Sequence, residues 1–521
     1  MGKFYITTPI YYVNDLPHIG TAYCTIAADA IARYQRMHGK EVLFATGTDE
    51  NGLKVAEAAH RRGLPPQEFV DEMAAVFAET WRKLGVSYDY FIRTTAGNHR
   101  RAVQALVNRL HENCDLYLDT YEGWYCLSDE TFFRESELVD GRCPNPECQR
   151  EVEWLGERGY FFRLSNYADR LLDYIDSQPD FLLPETRRNE VVSFIRGGLK
   201  DACISRHAAW GTPMPEGMPG AEGMVVYVWL DALVNYLTVA GYPDDEERFA
   251  EFWPADLHLV GKDIFVRFHA TLWPALLMAA GLPLPSTVFA HGFITVAGEK
   301  VSKSRGHKID PLAVVEEIRA HSGCRREMAL DALRYFLLRE VPFGLDGEWS
   351  LEGILARFNA DLANDLGNFL NRLLPLISRY ANGRIPAPAS AKEVVSSAQE
   401  AVSGFAKEME KLDFSAALRA VWAYLGMLNR WIDARAPWAL AKKGEKEELA
   451  RVLYCLAEGL RIVAALISPI LPNASTAIQQ QLGLPAQAAK WQDLTEWGKL
   501  PAGARIQPAE PLFPRVADRG R

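Results

Sequence analysis

The stretch KFYITTPIYYVNDLPHIGTAYCTIAADAIARYQRMHGKEVLFATGTDENG, residues 3–52, decides how the rest of the chain is read. Lys3 to Thr8 is a short run of β-forming side chains and predicts a strand, after which Pro9 to Pro17 reads as a loop. From Ala22 the apolar positions Ile26, Ala27, Ala30, Ile31 and Tyr34 recur at helical spacing until Gly39 ends the pattern. Glu41 to Thr46 then supplies a second strand. Strand, helix and strand in this order make a βαβ unit, and so a parallel sheet. The second strand ends on Gly47-Thr48-Asp49-Glu50-Asn51-Gly52. That places a carboxylate at the carboxyl end of a parallel strand, where open α/β sheets bind their ligands.

No G-x-G-x-x-G follows the first strand, and no G-x-x-x-x-G-K-[ST] occurs in the chain. Phosphate would have to be held in another way. His18, followed by Ile19-Gly20, stands at a helix start, where unpaired backbone amides and the positive dipole end favour an anion. A second candidate lies far along the chain, in Lys300-Val301-Ser302-Lys303-Ser304. Two lysines and two hydroxyls between Gly298 and Gly306 suit a loop that meets a migrating negative charge.

Outward from the first unit, the pattern changes near Tyr117. Residues from Glu122 to about Val152 are rich in Gly, Pro, Cys and acids, as an inserted module is. Parallel-sheet strands are expected to return with Met224 to Trp229, Leu257 to Gly261, and Val288 to His291. Each ends on a group suited to a crevice: Trp229 with Asp231, Gly261 with Asp263, and His291. From Leu351 the strand signals vanish. Leu362, Leu366, Phe369, Leu370 and Leu373 form one apolar arc, with Asn368 and Arg372 on the opposite face; Pro437-Trp438 breaks a later helical pattern.

The expected fold is α/β: a Rossmann-like parallel-sheet catalytic domain split by an insertion and followed by an all-α helix bundle. The boundaries read as 1–115 and 224–290 for the two halves, 116–223 for the connective insertion, 291–350 for the lysine loop and its surroundings, and 351–521 for the bundle.

A chain of 521 residues, 48% hydrophobic and 24% charged, is long enough for about three cores. No run approaches eighteen apolar residues and the start lacks a signal-peptide core, so a cytoplasmic protein with no membrane partner is expected. Eight cysteines, mostly scattered singly, suit a reducing compartment. The net charge of -10 argues against coating DNA. From residue 351 onward, however, 21 basic side chains face 17 acidic ones, which makes the tail the face for a polyanion.

Six blocks in order carry a resemblance. They are Thr8 to Asn14 with Pro17-His18-Ile19-Gly20, Thr46 to Gly52, Tyr227 to Ala232, Ala290 to Phe293, Asp361 to Arg372, and Ala436-Pro437-Trp438. With the Lys300 to Ser304 loop they resemble the class I aminoacyl-tRNA synthetases, most closely the methionine-specific family. The resemblance implies activation of L-methionine by ATP with Mg2+, then transfer to the 3'-terminal ribose of initiator and elongator methionine tRNA. It implies that His18, Thr21, Lys300 and Lys303 stabilise the phosphates, that Gly20, Gly261 and Asp263 hold ATP together with His18 and Lys303, and that Asp49 pairs with the substrate ammonium. Ile10, Tyr12, Trp229, Ala232, Tyr236 and His291 would wall the thioether pocket, and Asn368, Arg372 and Trp438 would read the anticodon.

Two motif positions depart from the family: Thr21 replaces a histidine and Val301 a methionine. The insertion has Cys126-Leu127-Ser128-Asp129 and a stretched Cys143-x-x-x-x-Cys148 where zinc-binding relatives carry two C-x-x-C pairs. Zinc is therefore not expected; Cys126, Asp129, Cys143 and Cys148 are its only candidate ligands. An insertion of about one hundred residues is too small for the editing module of branched-chain synthetases. A non-catalytic RNA-binding descendant would have lost His18, Asp49 or Lys303, and all three are present. The chain stops soon after the bundle, and a monomer is expected.

Overall fold

The computed structural model describes residues 2–126, 131–133, 135–145, 148–296, 299–300, 309–508 and 510–517. Six strands, β1 (Lys3–Tyr12), β2 (Glu41–Asp49), β3 (Tyr90–Arg93), β4 (Leu182–Leu183), β5 (Leu257–Gly261) and β6 (Thr287–His291), form one sheet in the order β3-β2-β1-β5-β6-β4. Every neighbouring pair is parallel. β5 is buried along its whole length and β2 from Val42 onward, as strands covered by helices on both faces must be. The strand order reverses between β1 and β5, which opens a crevice beyond their carboxyl ends.

β1 runs four residues beyond Thr8. Its pairing with β2 shifts between Thr7 and Ile10, then resumes as far as Tyr12 opposite Asp49. Pro9 has no N–H for the ladder, so the strand bulges there instead of ending.

Met224 to Trp229 departs further from expectation. Met224–Val226 pairs antiparallel with Ser205–His207, outside the main sheet, and Val228–Leu233 is a helix. The sixth parallel strand is Leu182–Leu183, which lies within the expected insertion. A short apolar run bears no period that separates a strand from a buried helical turn, so the sequence misplaces both. The rest of the insertion holds a four-stranded antiparallel sheet of Leu116–Cys126, Thr131–Phe133, Glu153–Phe162 and Ala202–Cys203.

The helix after β1, α1 (Ile19–Met37), packs its buried face against the sheet. The carboxyl-terminal part is helical: α2 (Arg326–Arg339), α3 (Asn368–Tyr380), α4 (Phe414–Arg435), α5 (Pro437–Lys443), α6 (Lys446–Ile467) and α7 (Pro472–Gln481). Arg334 of α2 is buried and joins three parts of the molecule. It donates to the Asp29 carboxylate of α1 at 2.7 Å and to the carbonyls of Ile470 and Pro469, between α6 and α7, at 2.8 and 3.2 Å. Burial alone would raise the Asp29 carboxyl, but the Arg334 and Arg33 guanidiniums and Ser87 outweigh it and hold it at about 2. Helix α1, and with it the crevice, is thereby fixed against the bundle. Among the described residues no helix is long and apolar enough to cross a membrane.

Candidate active site

The site begins at the amino end of α1. His18 is the N-cap: its Nδ1 accepts from the Gly20 N–H at 3.1 Å, while its own N–H donates to Thr21 Oγ1 at 3.1 Å, completing a capping box. A neutral ring whose Nδ1 accepts carries its proton on Nε2, a donor for an anion at the helix start. Gly20 eases this close approach, since a Cβ would stand 3.0 Å from the His18 ring. The Thr21 hydroxyl donates to the His18 carbonyl at 2.8 Å, so in this arrangement it serves the cap. The Ile19 N–H donates to the Ile309 carbonyl at 2.9 Å. Ile309, five positions after Ser304 in the sequence, therefore stands directly beside the helix start. Val301 to Ser304, Lys303 included, and the Lys300 side chain lie outside the described residues. The Lys300 backbone pairs with Thr295.

Asp49 ends β2 opposite Tyr12 and is buried. The next residue holds this corner in place. Glu50 is fully buried and accepts from Arg93 at 2.7 and 3.0 Å and from Thr48 at 2.7 Å, while its carbonyl accepts from Trp210 Nε1 at 2.8 Å. Asn51 donates to Asp231 at 2.9 Å, tying the corner to the helix that carries Trp229 and Ala232. Gly47 permits the close approach of β3, since a Cβ there would lie 2.1 Å from the Ile92 carbonyl oxygen.

The aromatic wall follows. Trp229 meets the Tyr12 ring edge-on at 6.3 Å between centroids and stacks on Phe268 at 3.8 Å. Ile10 packs against the cluster that contains Tyr236. The Tyr236 hydroxyl is 2.7 Å from His269 Nε2, and His269 Nδ1 is 3.1 Å from the Ile264 carbonyl. A carbonyl only accepts, so Nδ1 bears the proton and the tyrosine donates to Nε2. Burial pushes the His269 imidazole down to about 4, which keeps it neutral, and pushes the Tyr236 phenol up.

Phe268 and His269 were not singled out from the sequence. They lie on a π-helical stretch, Phe265–Leu272, whose wider turn has no apolar period to betray it; the signal was their place a few residues after the Gly261-Lys262-Asp263 strand end. His291, also assigned to the pocket, stands at a strand end. It pairs with Gly261 at the end of β6, and its ring packs against Tyr23 of α1 and Phe343. A Cβ at Gly261 would come within 2.6 Å of the Asp263 carboxylate and would force that side chain to move.

In the bundle Asn368 is exposed, Trp438 is 46% exposed at the start of α5, and Arg372 is ion-paired with Asp433 of α4. In the insertion the ligand atoms of Cys126, Cys143 and Cys148 all lie within 4.8 Å of one another, Cys126 and Cys148 at 3.5 Å. Tetrahedral zinc with bonds of about 2.3 Å separates its sulfurs by roughly 3.8 Å, so the three thiols fit the base of such a site. Asp129 lies outside the described residues.

Comparison with known proteins accords with this arrangement. The family of class I tRNA synthetases denoted M matches residues 4–154 and 145–374, and the anticodon-binding domain of methionyl tRNA ligase matches residues 385–521. The methionine–tRNA ligase of Caldanaerobacter subterraneus subsp. tengcongensis is 46% identical over 98% of this chain and 79% of its own length. That of Bacillus subtilis is 45% identical over 99% and 78%. The structure of Mycobacterium tuberculosis methionyl-tRNA synthetase bound by methionyl-adenylate superimposes with a TM-score of 0.91 at 42% identity, over 98% of this chain and all of that one. Such likeness, carried from the first strand through the helical bundle, assigns the chain to the methionyl-tRNA synthetases, the class I enzymes that ligate methionine to tRNA.

Proposed function

We propose that the crevice beyond β1 and β5 activates L-methionine with magnesium-bound ATP, and that the methionyl group then passes to the 3'-terminal ribose of methionine tRNA. The methionine carboxylate attacks the α-phosphorus and pyrophosphate leaves, so catalysis is chiefly alignment and stabilisation of charge moving out along the phosphates. No protein nucleophile is needed. His18, with its proton on Nε2 and the α1 amides behind it, meets the phosphates; Lys300 and Lys303 neutralise the departing pyrophosphate. Gly261 and Asp263 hold the adenosine ribose. Asp49 takes the substrate ammonium.

The thioether lies among Ile10, Tyr12, Trp229, Ala232 and Tyr236. His291 completes this wall, and His269 supports it through its bond to Tyr236. The three clustered cysteines would hold a zinc as a structural tie in the insertion, away from the reaction.

The observation that carries this reading is the bond from Ile19 to Ile309, which brings the exit of the lysine loop to the phosphate-binding helix start. ATP–pyrophosphate exchange against the twenty amino acids, without tRNA, tests it. Methionine alone should drive exchange, and Lys303→Ala should lower the rate by several orders of magnitude, on the order of 10³ for loss of a charge clamp of this kind. Exchange with another amino acid would refute the pocket, and none at all would refute the enzyme.

A further inference from the structure

After β6 the chain forms β7 (Ile294–Val296), turns, and returns as β8 (Glu299–Lys300), while β9 (Gly347–Glu348) pairs with the other edge of β7. This small sheet carries the lysine loop. Its base is packed very closely: a Cβ on Gly292 would lie 2.1 Å from the Leu345 carbonyl oxygen, and one on Gly347 would lie 2.4 Å from the Val341 side chain. Backbone bonds from Gly347 to Phe293 and from Trp349 to Thr295 complete the attachment.

One side chain connects this base to the end of β5. Asp346 Oδ1 accepts from the Phe293 N–H at 2.8 Å, and Oδ2 accepts from Lys262 Nζ at 2.7 Å. Lys262 also lies over the Phe293 ring, 4.4 Å from its centroid. It is flanked in sequence by Gly261 and Asp263, the residues assigned to the ribose. Partial burial raises the Asp346 carboxyl, but the Lys262 ammonium and the Phe293 amide outweigh it and leave the group below the usual carboxylate range.

We propose that Asp346 is a positioning residue for adenylate formation: its carboxylate fixes the base of the β7–β8 hairpin to Lys262, and so sets the register between the hairpin and the ribose-binding end of β5. The inference rests on the function proposed above. Asp346 touches none of the groups assigned to substrate. A half-exposed ion pair contributes little to folding, so its removal is felt in geometry more than in stability.

The test is methionine-dependent ATP–pyrophosphate exchange with the full chain, measured for wild type, Asp346→Ala, Asp346→Asn and Lys262→Met. Alanine removes both bonds. It should lower kcat about tenfold and raise the KM for ATP, within the range a displacement of about 1 Å produces, while the KM for methionine and the Tm stay at wild-type values. Asparagine keeps an acceptor for Phe293 and loses the ion pair, so it should fall between wild type and alanine and coincide with Lys262→Met. Wild-type kinetics in Asp346→Ala would overturn the inference, as would a loss shared equally by both substrates and accompanied by a fall in Tm. Absence of exchange in the unmodified chain would instead refute the functional reading itself.

Discussion

His269 shows how one side chain can define a pocket by what it accepts. With its Nδ1 proton committed to the Ile264 carbonyl, it fixes the Tyr236 hydroxyl as a donor toward Nε2. His258 stacks on the other side of the Tyr236 ring and is also buried; desolvation first, and the neighbouring His269 second, depress it well below the ordinary histidine value. Both rings are therefore neutral when folded and able to take protons when unfolded. Below about 6.5 the unfolded chain gains protons that the folded chain refuses until about pH 4 for His269. Stability due to these groups is complete above 6.5 and is lost as pH falls through that window. Asp331 opposes them, since burial raises it to about 6 and the folded state binds its proton first. His269→Gln should flatten the fall of Tm between pH 7 and 4.5. An equal slope in both proteins would show that the ring is not buried neutral. The sequence marked His18 because a helix start has a signature and His291 because strand ends are visible in sequence; it passed over His269 because π-turns are not.

At the level of elements, the insertion and the main sheet were legible to different degrees. The βαβ unit was read nearly as it stands, because its strand and helix periods are long enough to separate. The two-residue strand Leu182–Leu183 could not be read at all, and Met224–Val226 was given to the wrong sheet. Short apolar runs acquire their state from the neighbours they meet. The cysteine module is a second instance. Its altered spacing argued against zinc, yet the fold brings Cys126, at the end of one strand, to Cys143 and Cys148 on a turn, with all three sulfurs inside 4.8 Å. Three thiols so close are set to give up their protons together to a tetrahedral metal, which the three sulfurs would bind from one side. Chelator-washed protein should retain one zinc per chain by elemental analysis, and Cys148→Ser should lose it. Metal-free protein with an unchanged Tm would show the cluster to be held by packing alone.

Across the whole molecule, the proposed activation of methionine and recognition of the tRNA fall to separate surfaces, and the buried Asp29–Arg334 pair helps join them. On the proposed reading, adenylate formation belongs to the crevice and recognition of the tRNA to the exposed face where α3 and α5 adjoin. The sequence showed this division through composition, since strands cease after residue 350 and the charge balance turns positive. It did not show the joint: Asp29 and Arg334 lie more than 300 residues apart, and no local pattern links them. Trp438 allows the two functions to be separated. It opens α5 after Ala436 in the left-handed conformation, and with nearly half its surface exposed it can stack on an unpaired base. Loss of such a stack costs about 1–3 kcal/mol, which is roughly 5- to 150-fold in affinity. Trp438→Ala should therefore raise the KM for tRNA in aminoacylation by about 5- to 150-fold. Methionine-dependent pyrophosphate exchange without tRNA should persist at the wild-type rate, because the crevice keeps its full complement of side chains. A parallel loss of exchange would mean that Trp438 supports the fold of the bundle rather than the tRNA, and a wild-type KM would remove it from the anticodon surface.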